Sequence, residues 1–140
     1  MAHYAFINNQ NIVVQVIVGR DEDDLENLPE GFDSWESYYG ELHNIKCLRT
    51  SYNTHHNKHF YYDSEGQEQP TDTQEKALRG NYAGEGFTYD PVNDVFIRPK
   101  PFESWILNEE IWDWEAPVPY PDDNQYYEWS DKAQNWVLIP

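Results

Sequence analysis

Three histidines within five residues, His55, His56 and His59 in "HHNKH", are the first side chains in the sequence suited to chemistry. On a helix, His55 and His59 would stand at the i, i+4 spacing that zinc proteins use. The central glutamate of a metalloprotease motif is missing, and the setting "NTHHNKH" reads as a polar turn, so no metal is expected. "GEG" at 84–86 has neither a third glycine nor the strand before and helix after that a dinucleotide loop needs, and reads as a tight turn ahead of a strand. With 26 Asp and Glu in 140 residues, carboxylates are too abundant for spacing to single out a glycosidase-like pair. No serine, histidine and aspartate set has local context. The expectation is a protein that is not an enzyme and binds no cofactor.

The remaining chemistry belongs to rings. Aromatic residues make up 16% of the chain, and they recur with a fixed spacing in the last third. In "FTYDPVNDVFIRPKPF", "WILNEEIWDWEAPVPY" and "YEWSDKAQNWVLIP", a large residue (Tyr89, Leu107 or Trp129) precedes a short polar one (Asp90, Asn108 or Ser130) and is followed seven positions on by Phe96, Trp114 or Trp136. Asp, Asn and Ser bend a chain by accepting hydrogen bonds from backbone just ahead. An even loop then sets the two large side chains across from one another, which makes each unit a β-hairpin. The prolines of "PKP" and "PVP" cannot donate to a ladder and keep successive hairpins apart. Each ring can bury on the order of 150 to 250 Å², so most of these rings are expected in the core. Those left outside would be stacking platforms or interface anchors. The candidate interaction residues are Trp105, Trp112, Trp114, Tyr120, Tyr126, Tyr127 and Trp129, with Trp112, Tyr126 and Tyr127 expected to face outward because their neighbours in the alternation point in.

Other elements must hold these hairpins. "NIVVQVIVG" is rich in β-branched residues and reads as the second arm of an N-terminal hairpin, apolar on both faces and so expected at the centre of a sheet. Residues 21–41 hold nine acids and no Lys or Arg, with apolar residues at threes and fours. Pro29 and Gly31 divide them, which leaves a turn and then one helix capped by Asp33 or Ser34, with Glu36 in its first turn. "IKCLRTSY" and "FYYD" read as strands, and "TDTQEKALRG" as a short helix stopped by Gly80. The fold class expected is mainly β (α+β): one domain over 1–140, with an N-terminal hairpin at 1–20, an acidic helical insertion at 21–44, mixed structure at 45–80 and a C-terminal meander of aromatic-rich hairpins at 81–140.

A net charge of −17 predicts a soluble, self-repelling chain. Duplex DNA carries a charge about every 1.7 Å and no basic stripe answers it, so nucleic acid is not an expected partner. Cys47 is the single cysteine and offers no disulfide framework. The opening "MAHYAFINN" lacks the basic and apolar regions of a signal peptide, and no apolar run approaches a membrane span, so synthesis in the cytoplasm without a membrane partner is expected.

At "TSYNT" (50–54), "ALRGNYAGEGFTYD" (77–90), "RPKPFESWILNEE" (98–110), "WEAPVPYPDD" (114–123) and "YEWSDKAQNW" (127–136), and along the opening "MAHYAFINNQNIVVQVIV", the chain resembles a family of small acidic proteins encoded by tailed phages of marine cyanobacteria and other marine bacteria. Segments 21–46 and 57–72 depart from that likeness. The resemblance implies a phage setting and a virion structural role, as a capsid-decorating or tail-accessory protein on the outside of the particle, with other capsid or tail proteins as partners and homo-oligomers as a further option. Two alternatives follow from the residues: a tail-fibre accessory that binds host surface glycan through exposed rings, and an acidic mimic of DNA that occupies a host protein's basic groove.

Overall fold

The computed structural model describes residues 2–72, 74 and 77–140. It is mainly β with one short helix, as the alternation predicts. In chain order the elements are β1 (Ala2–Ile7), β2 (Val13–Gly19), α1 (Trp35–His43), β3 (Lys46–Thr50), β4 (Thr54–His55), β5 (Lys58–Tyr62), β6 (Glu68–Pro70), β7 (Thr88–Asp90), β8 (Val95–Ile97), β9 (Ile106–Asn108), β10 (Asp113–Glu115), β11 (Tyr127–Ser130) and β12 (Asn135–Leu138). The short helix expected over 71–80 falls partly on Thr73, Glu75 and Lys76, which lie outside the described residues, and the described residues of that stretch are not helical, with Arg79 in the left-handed region at φ 52°.

The N-terminal hairpin forms and turns on Asn8, whose Oδ1 accepts from the N–H groups of Gln10 (2.9 Å) and Ile12 (3.0 Å). Its two arms do not occupy the places expected of them. The sheet order is β2-β1-β3, so "AHYAFI" is the central strand and the more β-branched β2 is an edge. The reason lies in the return of the chain: β3 pairs with β1, and of these three strands it is β1 that is buried along both faces. Ala5 and Ile7 enter one core with Val13, Ala83, Tyr89 and Phe96, while Ala2, Tyr4 and Phe6 enter another with Trp35 and Cys47. A bulge at Val14, where Phe6 faces Gln15 but Ile7 faces Val13, shifts the pleat so that Val13 and Val16 both pack toward the first core.

Helix α1 covers the second face. Ser34 caps it, its Oγ accepting from the Ser37 N–H at 3.1 Å, with Glu36 in the first turn and Asn44 closing the C-terminus in the left-handed region at φ 53°. Gly19 is required where the helix meets the sheet, because a Cβ there would lie 2.8 Å from the Tyr39 ring and 2.9 Å from Tyr4.

The histidine segment forms a turn. His56 and Asn57 have φ of 49° and 64°, the positive pair that a two-residue type I′ hairpin requires, and they join β4 to β5. Thr54 faces His59 and His55 faces Lys58, so His55 and His59 project from opposite faces of the ribbon rather than from one face of a helix.

Candidate functional site: a ladder of aromatic hairpins

Each of the three units closes in the register that the spacing of seven predicts. Tyr89 faces Phe96, Leu107 faces Trp114, and Trp129 faces Trp136. The short polar residue caps each turn: Asp90 Oδ1 accepts from Val92 N–H at 2.9 Å, Asn108 Oδ1 from Glu110 N–H at 2.9 Å, and Ser130 Oγ from Ala133 N–H at 3.1 Å. The fourth loop residue is left-handed every time, with φ of 56° at Asp94, 53° at Trp112 and 51° at Gln134. Separate two-stranded sheets result, with Pro99, Pro101, Pro117 and Pro119 in the connectors between them.

Because side chains alternate along a strand, each hairpin can pack in two directions. Phe96 points into the core under β1, while its neighbours Val95 and Ile97 turn the other way and meet Trp112, Leu107 and Trp114 of the next unit. The third unit packs onto Trp105, which precedes β9. Ring centroids of Trp105 lie 6.2 Å from Trp129 and 6.1 Å from Trp136, and the Trp129 and Trp136 rings are 5.3 Å apart. Tyr120 joins the cluster edge-on at 4.9 Å from Trp136, and Tyr127 lies 5.7 Å from Tyr120. The rings thus build a series of small cores in line, each shared with the next hairpin.

Polar bonds fix the rings. Trp136 Nε1 donates to Val118 O at 2.7 Å, and Trp129 Nε1 donates to Ser104 Oγ (3.2 Å) and Asp131 Oδ1 (3.1 Å). The Ser104 hydroxyl also donates to Asp131, and that bond, with the one from Trp129, holds the Asp131 carboxyl below the ordinary aspartate range. Tyr127 donates its hydroxyl to Asp123 at 2.6 Å, which raises the phenol above its usual range. Trp105 Nε1 is buried with no hydrogen-bond partner among the described residues.

The seven expected interaction residues therefore divide. Trp105, Tyr120, Tyr127 and Trp129 come together in the terminal cluster, and Trp112 and Trp114 belong to the preceding one. Two of the outward expectations need correction or refinement. Trp112 is only 9% exposed, because its left-handed backbone swings the indole back over Gly80, Val95 and Ile97 instead of leaving it on the strand's outer face. Tyr127 is half-buried. Tyr126 does face outward, at 78% exposure, while Trp129 is a core residue at 7%. Around the terminal cluster a group of apolar side chains reaches the surface: Val118, Tyr120, Tyr126, Val137, Leu138 and Ile139 are all exposed. Val118 and the "VLI" of 137–139 escaped sequence reasoning, although an apolar run in a two-stranded ribbon with no covering element is a usable signal.

A second grouping was not legible. His56 Nε2 lies 2.8 Å from Asp113 Oδ2, and Arg98 Nε donates to Asp113 Oδ1. Burial alone would raise the Asp113 carboxyl, but the bonds from Arg98, Trp114 N–H and His56 hold it below the ordinary range. Buried Asn81 accepts from His56 N–H at 2.8 Å and donates to the carbonyls of Phe96 (2.9 Å) and Trp112 (2.8 Å), stitching the histidine turn to two hairpins. These groups line a cleft of about 160 Å³ with Tyr82 and Phe87, and hydrogen bonds join them to one another. The arrangement reads as a structural junction. No protein-family model, curated protein or solved structure matches this chain.

Proposed function

We propose that the chain is a non-enzymatic structural protein of a tailed-phage particle, attached to the outside of the head or tail through its last aromatic hairpin. The observation that carries this reading is the apolar surface around the terminal ring cluster, where Tyr126, Leu138, Ile139 and Val137 are 78%, 50%, 46% and 43% exposed on a chain of net charge −17. Large apolar groups exposed side by side mark an interaction surface. The rings beneath it are locked by indole hydrogen bonds and edge-on contacts, so little side-chain entropy would be lost on docking. A repeated lattice of sites would multiply modest single contacts by avidity. Packaged DNA would repel so acidic a protein, which favours the outer surface over the interior. The phage setting itself rests on the resemblance at "ALRGNYAGEGFTYD", "RPKPFESWILNEE" and "YEWSDKAQNW".

Quantitative mass spectrometry of purified particles from the phage that encodes this chain tests the proposal. It is expected to find the protein in many copies per particle, released by mild denaturant before the shell opens. Particles that contain none of it would overturn the reading.

A further inference from the structure

The outer edge of β2 is open beyond its first residue. β1 occupies one side of the strand, and segment 86–89 occupies only its start, where Val13 N–H donates to Phe87 O and Gly86 N–H to Val13 O, both at 2.8 Å. Past Val13, no backbone group among the described residues pairs with that edge. In an antiparallel pair every second residue turns its N–H and C=O away from the partner, so residues 14–19 present a row of unmet groups. Their side chains do not guard it. Natural edges carry lysine, proline or an inward charge, whereas "VQVIVG" has none of these and leaves Val14 and Val18 45% and 55% exposed. The bulge at Val14 is the one blunting device, and it lies at the end already covered.

Charge decides what can approach. Self-repulsion opposes contact between copies over most of a surface with net charge −17. Residues 2–19 contain no Asp, Glu, Lys or Arg, so at this edge two copies meet without carboxylate facing carboxylate, the pairing that destabilises a ladder. The strand is also close to self-complementary. A two-fold axis at Ile17 sets Val16 opposite Val18 and Gln15 opposite Gly19 of the second copy, a ladder that stops short of the bulge at Val14.

We propose that two copies of this chain pair antiparallel along β2 about a two-fold axis at Ile17, merging their N-terminal sheets into one. This surface is separate from the terminal aromatic hairpin and does not depend on the phage reading; particles that lack the protein would leave it untouched. The test is sedimentation velocity of the full chain at about 0.15 M and about 1 M salt, between which the screening length falls from about 8 Å to about 3 Å. A monomer–dimer equilibrium is expected, shifting toward dimer with concentration and with salt, and Val18→Lys is expected to abolish the dimer while keeping wild-type tryptophan fluorescence. In a Cys47→Ser background, Ile17→Cys is expected to form a disulfide-linked dimer on mild oxidation, because Cα atoms facing across such an axis lie about 4.5 to 5.5 Å apart. A monomer at every concentration and salt, a dimer indifferent to Val18→Lys, or failure of Ile17→Cys to cross-link would each overturn the proposal.

Discussion

Arg79 gathers three distant parts of the chain around one guanidinium. Its Nε donates to Asp94 Oδ1 at 2.9 Å, and its Nη1 donates to Glu36 Oε2 at 3.1 Å and to Arg49 O at 2.8 Å, joining the β7–β8 turn, helix α1 and strand β3. Tyr89 donates its hydroxyl to the same Asp94 oxygen at 2.5 Å. Burial alone would raise the Asp94 carboxyl, but the bonds from Tyr89 and Arg79 outweigh it and hold the group below the ordinary aspartate range. Burial, with the bond to Asp94 adding to it, pushes the Tyr89 phenol up to about 12. The sign for stability follows from the depressed carboxyls of Asp94 and Asp113: their contribution is complete above the unfolded aspartate value of about 3.9 and is lost as pH falls through their lower folded values. Urea midpoints are therefore expected to stay level from neutral pH to about 5 and to fall below about 4, with Asp94→Asn less stable at pH 7 and less steep in acid. Nothing in the sequence joins Arg79 to Glu36 or His56 to Asp113, because such pairs are brought together by the path of the chain and not by any local period.

The hairpins show what a period does reveal. A two-residue alternation combined with a polar turn residue specifies register, so the spacing of seven was enough to name the facing pairs Tyr89 with Phe96, Leu107 with Trp114 and Trp129 with Trp136. It did not reveal direction at the fourth loop position, where a left-handed backbone takes the side chain out of the alternation. That position separates backbone cost from packing gain. Gln134 is exposed at φ 51°, so Gln134→Gly is expected to raise stability by about 0.5–1 kcal/mol by removing the left-handed strain. Trp112, at φ 53°, is buried against Val95 and Ile97, so Trp112→Gly is expected to cost about 3–5 kcal/mol despite relieving the same strain. Parallel urea titrations of the two variants decide this. The helix was legible for a similar reason, since Ser34 and Glu36 carry its cap and first turn, whereas its left-handed stop at Asn44 was not read from the sequence. Assigning β2 to the sheet centre failed because composition reports how well a strand fits a sheet, while its neighbours are chosen by where β3 returns.

Across the whole molecule, the charge-free N-terminal hairpin and the acidic remainder divide the labour of packing and solvation. Residues 2–19 supply the central strand of the first sheet, buried on both faces, and all of the formal net charge of −17 arises beyond them. From that sheet outward the chain is assembled as a series, with the first aromatic hairpin sharing a core with β1, the second resting on the first, and the third held by Trp105, Ser104 and Val118. Among the described residues no backbone ladder crosses from one of these hairpins to the next. Deuterium should consequently invade the molecule from its far end: amides of Tyr127–Leu138 are expected to exchange first, those of β9 and β10 next and those of β1 last, in three kinetic tiers rather than one cooperative phase. Replacing Trp105 with alanine should accelerate only the earliest tier, detaching the last ribbon as a loose tail while the sheet at the other end keeps its protons.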